Sequence, residues 1–197
     1  IGGTANFFIE VEEEKKLVEL LNFLSGEGIK YFILGGGSNI LFPDSEFDGV
    51  VVKPKTSNLK LQNGNEIVVD AGVLLSQVVT LALKNNLSGM EWAMGIPGTV
   101  GGAVRGNAGA MGKETAGCVE KVRVWRDGEI LEFNKLECGF GYREKLLHIQ
   151  TILSSLLNDE RFFSIDEFGP FSVKTKAGRQ LVPPGIQPSV PQWQKSK

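Results

Sequence analysis

With 197 residues, 42% hydrophobic and 22% charged, the chain has room for one or two domains and a substantial core. A net charge of −2 gives no general attraction to nucleic acid or to an anionic membrane, and no apolar run reaches the length of a membrane span. One histidine, His148, and two distant cysteines, Cys118 and Cys138, exclude a histidine-rich metal centre, a zinc or thioredoxin motif and a conventional Ser-His-Asp triad. The two cysteines read as buried thiols of a protein from a reducing, cytoplasmic compartment. The N-terminus lacks a signal-peptide pattern and starts at Ile1, so the chain is expected to begin inside a longer gene product.

After an opening glycine turn, residues 7–11 read as a strand. Glu12 to Ser25 reads as an amphipathic helix, with Leu17, Leu20, Leu21 and Leu24 at helical spacing, acidic residues at its start, and Gly26 or Gly28 to end it. Tyr31 to Leu34 is a short buried strand that runs into Gly35-Gly36-Gly37-Ser38-Asn39. This βαβ-like order ends in a glycine loop, where α/β proteins often place nucleotides. The loop is neither a dinucleotide fingerprint nor a P-loop. Ser38 and Asn39 either hydrogen-bond a ligand or cap their own turn.

Gly49 to Lys53 and Glu66 to Gly72 read as further strands, joined by a polar connection around Asn58. Leu74 to Leu83 is apolar enough for a largely buried helix closed by Asn85 and Asn86. Asp127-Gly128, between Val119–Arg126 and Glu129–Phe133, is a strong hairpin signal. Leu146 to Leu157 reads as a short apolar helix. Between Gly95 and Gly112 stand seven glycines, which expose backbone in place of side chain and permit close main-chain approach. Successive N–H groups in such a run can form anion-binding nests, as for a phosphate-bearing cofactor. The alternative is a glycine-rich turn region joining strands.

Several separated motifs now stand in one order: Gly35 to Leu41, Asp70-Ala71-Gly72, Gly89 to Ala93, Gly95 to Ala103, Asn107 to Ala110 and Gly141-Tyr142-Arg143. Over residues 1 to about 145 the chain resembles the UDP-N-acetylenolpyruvoylglucosamine reductases, the MurB family. The resemblance implies an α+β fold, a vanillyl-alcohol-oxidase-type (PCMH-type) FAD-binding domain of two α+β subdomains, residues 1–55 and 56–145. FAD is the implied cofactor. Gly35, Gly36, Gly37, Ser38, Asn39, Ile40, Ala71, Gly72, Gly95, Ile96, Pro97, Gly98, Thr99, Gly101, Gly102, Ala103, Asn107 and Gly109 are the implied cofactor-binding residues. Main-chain N–H groups would meet the pyrophosphate, in keeping with the scarcity of basic residues in both glycine loops.

In that family NADPH reduces the flavin, which reduces the enolpyruvyl double bond of UDP-N-acetylglucosamine enolpyruvate. The product is a precursor in peptidoglycan synthesis, and so serves cell-wall biogenesis, cell shape and cell division. Arg143 matches the family's active-site arginine, and a guanidinium can hold a carboxylate through two parallel hydrogen bonds. Taken alone, Arg143 would read as a surface ion pair. Tyr142 reads as a substrate contact or as packing. The family continues into a third domain carrying a catalytic serine and glutamate, neither of which has a matching motif here. The serine usual after Tyr-Arg is replaced by Lys145.

Arg161 to Phe171, Gly178-Arg179, Pro183 to Gly185 and Val190 to Lys197 instead resemble a segment of mariner-like DDE insertion-sequence transposases. Asp166 matches a metal-binding aspartate of that family, but the other acidic residues of the triad are missing, so no metal site is expected. Residues 146–197 are therefore expected to be a junction and a largely irregular, proline-containing basic tail. The reading that follows is the FAD-binding portion of a MurB-like reductase, truncated by fusion and with little or no activity alone. The alternatives are a DNA-binding transposase fragment, which the negative body argues against, and a fusion product with no function. No membrane or nucleic-acid partner is expected, and the oligomeric state is left open.

Overall fold

In the computed structural model, which describes residues 3–141 and 151–157, the alternating and helical patterns resolve into two sheets with a helix or helices on each. The first sheet is built from β1 (Ala5–Val11), β2 (Tyr31–Ile33) and β3 (Phe47–Pro54), with α1 (Glu14–Gly26) connecting β1 to β2. All three strands are parallel and β3 lies in the middle. Leu17, Leu21 and Leu24 of α1 are buried together with Val11, Val50 and Val52, which explains the leucine spacing.

The second sheet takes β4 (Leu59–Gln62), β5 (Glu66–Asp70), β8 (Val119–Arg126), β9 (Glu129–Asn134) and β10 (Thr151–Leu157) in the order β4-β5-β10-β8-β9. Neighbouring strands are antiparallel throughout. Against it pack α2 (Leu75–Lys84) and the short α3 (Val100–Arg105). A two-stranded ribbon of β6 (Gly109–Ala110) and β7 (Lys113–Glu114) follows α3. The hairpin expected at Asp127-Gly128 is present, with φ of 51° and 92° at its two turn residues, the left-handed pair that a tight hairpin needs.

Three expectations need correction. The run from Leu146 to Leu157, expected as a helix, includes a strand: Thr151–Leu157 is β10, central in the second sheet. Without it β5 and β8 would carry unpaired backbone groups along a buried seam, so sheet pairing overrides an ambiguous apolar run. The second sheet thereby takes in residues assigned from sequence to the junction segment 146–197. The polar connection around Asn58 leads directly into β4, which pairs with β5. The long glycine stretch is not loop throughout, because Val100–Arg105 forms a helix despite two internal glycines.

β8 separates two apolar cores. Val122 and Val124 face the core shared with α2 and α3, whereas the fully buried Trp125 faces the core of α1 and the first sheet. Period-two alternation buries both faces of one strand. β10 does the same with Ile152 and Leu157 on one side and Leu153 on the other, made possible by a register shift between Ile152 and Ser154. No helix among the described residues is long and apolar enough to cross a membrane.

Candidate functional site

The first glycine loop starts where β2 stops. Leu34 N–H still donates to Val52 O at 2.8 Å, as a last rung beside β3, and the chain then leaves the sheet at Gly35. Gly35 and Gly36 press directly against the second glycine segment. A Cβ on Gly35 would lie 2.7 Å from Thr99 Oγ1, and one on Gly36 would lie 2.8 Å from Gly98 Cα. Ser38 Oγ donates to Pro97 O at 3.0 Å. Of the two roles open to Ser38, the hydroxyl is thus used across to the other loop, not within its own turn. Gly37, Ser38, Asn39 and Ile40 are exposed.

The second segment is held from behind. Leu75 N–H donates to Gly98 O at 3.0 Å, Val100 N–H to Val73 O at 2.9 Å and Gly101 N–H to Ala71 O at 3.0 Å. Thr99 caps α3, its Oγ1 accepting from Gly102 N–H at 3.4 Å and its carbonyl from Ala103 N–H at 2.9 Å. A Cβ on Gly101 would sit 2.8 Å from Ala71 Cβ. Gly98 has φ of 120°, a region that side-chain-bearing residues rarely adopt.

The Ala71-Gly72 turn supports this arrangement from the second sheet. Ala71 N–H donates to Leu153 O at 2.9 Å, and a Cβ on Gly72 would meet Thr56 O at 2.6 Å and Pro54 O at 2.9 Å. Asp70, just before the turn, accepts Asn58 N–H on Oδ2 at 2.9 Å. Burial pushes the Asp70 carboxyl up from its ordinary value and Glu14 adds to the rise, against the lowering by Asn58 and Arg123.

The two loops therefore differ in their donors. Among the described residues, no main-chain N–H from Gly35 to Asn39 donates to a backbone carbonyl. The N–H groups of Val100, Gly101, Gly102 and Ala103 are all engaged by protein acceptors. The first loop presents backbone donors, while the second supplies a small-residue floor. The only basic residue between Gly95 and Gly112 is Arg105, whose guanidinium burial shifts down from its ordinary value.

The remaining expected positions divide. Gly95, Pro97 and Gly102 are exposed, Ile96 is half-buried and Ala103 is buried on α3. Asn107 is buried and its amide is engaged at both ends: Nδ2 donates to Gly141 O at 3.0 Å, and Oδ1 accepts Ala116 N–H at 2.9 Å. Gly109 sits in β6 opposite Glu114, where a Cβ would come within 2.5 Å of Lys113 O. Tyr142, Arg143, Lys145 and Asp166, with the transposase-like segment, lie outside the described residues. Among those that are described, no group of three or more His, Cys, Asp or Glu side chains is placed to hold a metal.

Four large apolar side chains stand exposed beside these loops, and three of them, Leu41, Leu74 and Met94, are not among the positions expected from the sequence. Ile40, which the resemblance implies as a cofactor-binding residue, and Leu41, Leu74 and Met94 are exposed by 40%, 81%, 48% and 54%. Each borders a glycine-bearing turn in the chain, and Leu74 is bridged to Thr99. Large apolar groups left outside the core next to free backbone donors suit a ligand with an anionic part and a flat apolar part. The available signal was adjacency of each to a glycine motif.

Comparison with known proteins gives a consistent result. The family described as "FAD binding domain" matches residues 5–134. A UDP-N-acetylenolpyruvoylglucosamine reductase from Carboxydothermus hydrogenoformans is 44% identical over 147 residues, 73% of this chain and 48% of that protein. The crystal structure of UDP-N-acetylenolpyruvylglucosamine reductase (MurB) from Thermus caldophilus is similar with TM-score 0.66 and 32% identity, covering 77% of this chain and 54% of the other. CrmK, a flavoenzyme involved in shunt product recycling in caerulomycin biosynthesis, shares the fold with TM-score 0.56 and 17% identity, covering 78% of this chain and 35% of the other. The chain spans about half the length of the curated relatives it matches.

Proposed function

The chain belongs to the FAD binding domain family, and on that premise we propose that it is the FAD-binding part of a UDP-N-acetylenolpyruvoylglucosamine reductase. The carrying observation is the asymmetric pair of loops, one with open backbone donors and one closely packed behind it. The residues fit the cofactor's chemistry. The N–H groups of Gly35 to Asn39 would hold the diphosphate, as uncharged donors suited to an anion. Gly98 and Thr99 would line it, while Gly101 lets α3 sit close behind them on the Ala71 turn. Ile40, Leu74 and Met94 offer apolar surface for the ring system and keep water from it.

When bound, FAD supplies hydride transfer, with NADPH as the reductant in this reading. The substrate is UDP-N-acetylglucosamine enolpyruvate and the setting is cytoplasmic peptidoglycan precursor synthesis. This chain's own part is to bind and orient. Arg143 and Tyr142 would meet the substrate, Arg143 by pairing with its carboxylate. Asn107 fixes the segment ahead of them by holding Gly141 O, two positions before Arg143.

Titration of the purified chain with FAD tests the proposal. Flavin fluorescence is expected to be quenched with saturation in the micromolar range or weaker, roughly −8 kcal/mol or less in magnitude. Unchanged fluorescence at high protein concentration would count decisively against it.

A further inference from the structure

We propose that Arg123 and Trp125, on β8, are positioning residues that set the fit of the two glycine loops and through it the affinity for FAD. The inference rests on the reading of those loops as the FAD site. Both side chains reach to the elements that carry the first loop.

Arg123 grips the first turn of α1. Its Nη2 donates to Glu14 Oε1 at 2.9 Å and its Nη1 to Glu14 Oε2 at 3.2 Å, a two-pronged contact that fixes direction as well as distance. Nη1 also lies 3.4 Å from Ser154 Oγ on β10, so the guanidinium is steadied on its own sheet. Trp125 Nε1 donates to Asn22 Oδ1 at 2.7 Å, and its ring meets the ring of Tyr31 edge-on with centroids 6.5 Å apart. Glu14 and Asn22 lie about 12 Å apart along the helix at the usual rise. Two polar anchors at that spacing restrain a helix from pivoting on an apolar core, which has no directional preference.

Tyr31 opens β2, and β2 leads into Gly35. Any pivot of α1 and β2 against β8 is therefore transmitted to the first loop, where Gly36 meets Gly98 with no room for a methyl group. The ion pair itself is partly exposed, 42% for the Arg123 side chain and 31% for Glu14, so its contribution to stability is small. Its consequence lies in register.

The test compares Arg123→Met, Trp125→Phe and Arg123→Lys with the unaltered full chain, using FAD titration, melting of the cofactor-free protein and amide chemical shifts. Lys121→Met serves as the control, because Lys121 is on the same strand but pairs with Glu132 of β9. Arg123→Met and Trp125→Phe are expected to weaken FAD binding about fivefold or more, while the melting temperature of Arg123→Met falls by less than about 3 °C. Arg123→Lys keeps one charged contact and is expected to fall between. Without FAD, the Gly36 and Gly98 amide shifts are expected to move in Arg123→Met and to stay in place in Lys121→Met.

Unmoved Gly36 and Gly98 shifts in both Arg123→Met and Trp125→Phe would overturn the proposal. An affinity loss in Lys121→Met equal to that in Arg123→Met would do the same. If the unaltered chain does not bind FAD, the cofactor reading fails, and the cofactor-free shifts still decide whether these residues set the loops.

Discussion

The two glycine loops share a composition and differ in what their backbones do. From Gly35 to Asn39 the N–H groups have no backbone acceptor among the described residues, whereas Val100 to Ala103 spend theirs on Val73, Ala71 and Thr99. In the first loop, glycine permits exposure of donors. In the second, it permits close approach of α3 to the Ala71 turn, with Gly101 in contact distance of Ala71. A glycine-rich segment is thus not a single kind of site, and the distinction is visible only when each N–H is followed to its acceptor.

This contrast can be broken most forcefully at Gly101. Gly101→Ala places a methyl group against Ala71 and is expected to cost about 1–3 kcal/mol of stability by overpacking, seen as a lower melting temperature without FAD. Gly36→Ala is the counterpart in the first loop. The added methyl would displace the loop from Gly98, and FAD affinity is expected to drop about tenfold, about 1.4 kcal/mol, with little change in melting. If the two variants exchange these signatures, the division of roles is wrong.

The smallest expected effect is at Asp70, which anchors the turn behind the second loop. Its carboxyl is raised chiefly by burial, so its contribution to stability is full below the ordinary carboxylate pKa of about 3.9 and is lost as pH rises through the raised value. Asp70→Asn keeps an acceptor for Asn58 N–H and removes the titration. Its melting temperature relative to the unaltered chain is expected to be higher at pH 7, with the gap closing in acid. A gap that widens in acid would reverse the sign of the argument.

Local chemistry made some of this architecture legible. The leucine spacing in α1 and the Asp127-Gly128 turn are written within a few residues, and both elements form as their patterns imply. The two glycine segments were also recognisable as candidate site elements. Their interlocking was not, because Ser38 and Pro97 are 59 positions apart and no local pattern pairs them. α3 was hidden by glycines of low helix propensity, and its start depends on acceptors at Ala71 and Val73. β10 was misread because a short apolar run suits either period, and only the gap between β5 and β8 decides it. The contacts of Asn107 with Ala116 and Gly141 were likewise beyond local pattern, because they join residues 9 and 34 positions apart.

Amide chemical shifts and hydrogen exchange across both loops, recorded with and without saturating FAD, address the central claim most directly. The account expects the Gly36, Gly37, Ser38 and Asn39 amides to shift and gain protection when FAD binds, while Gly101 and Gly102, already bonded, change little. Perturbation confined to Gly101 and Gly102, with the first loop unchanged, would contradict it.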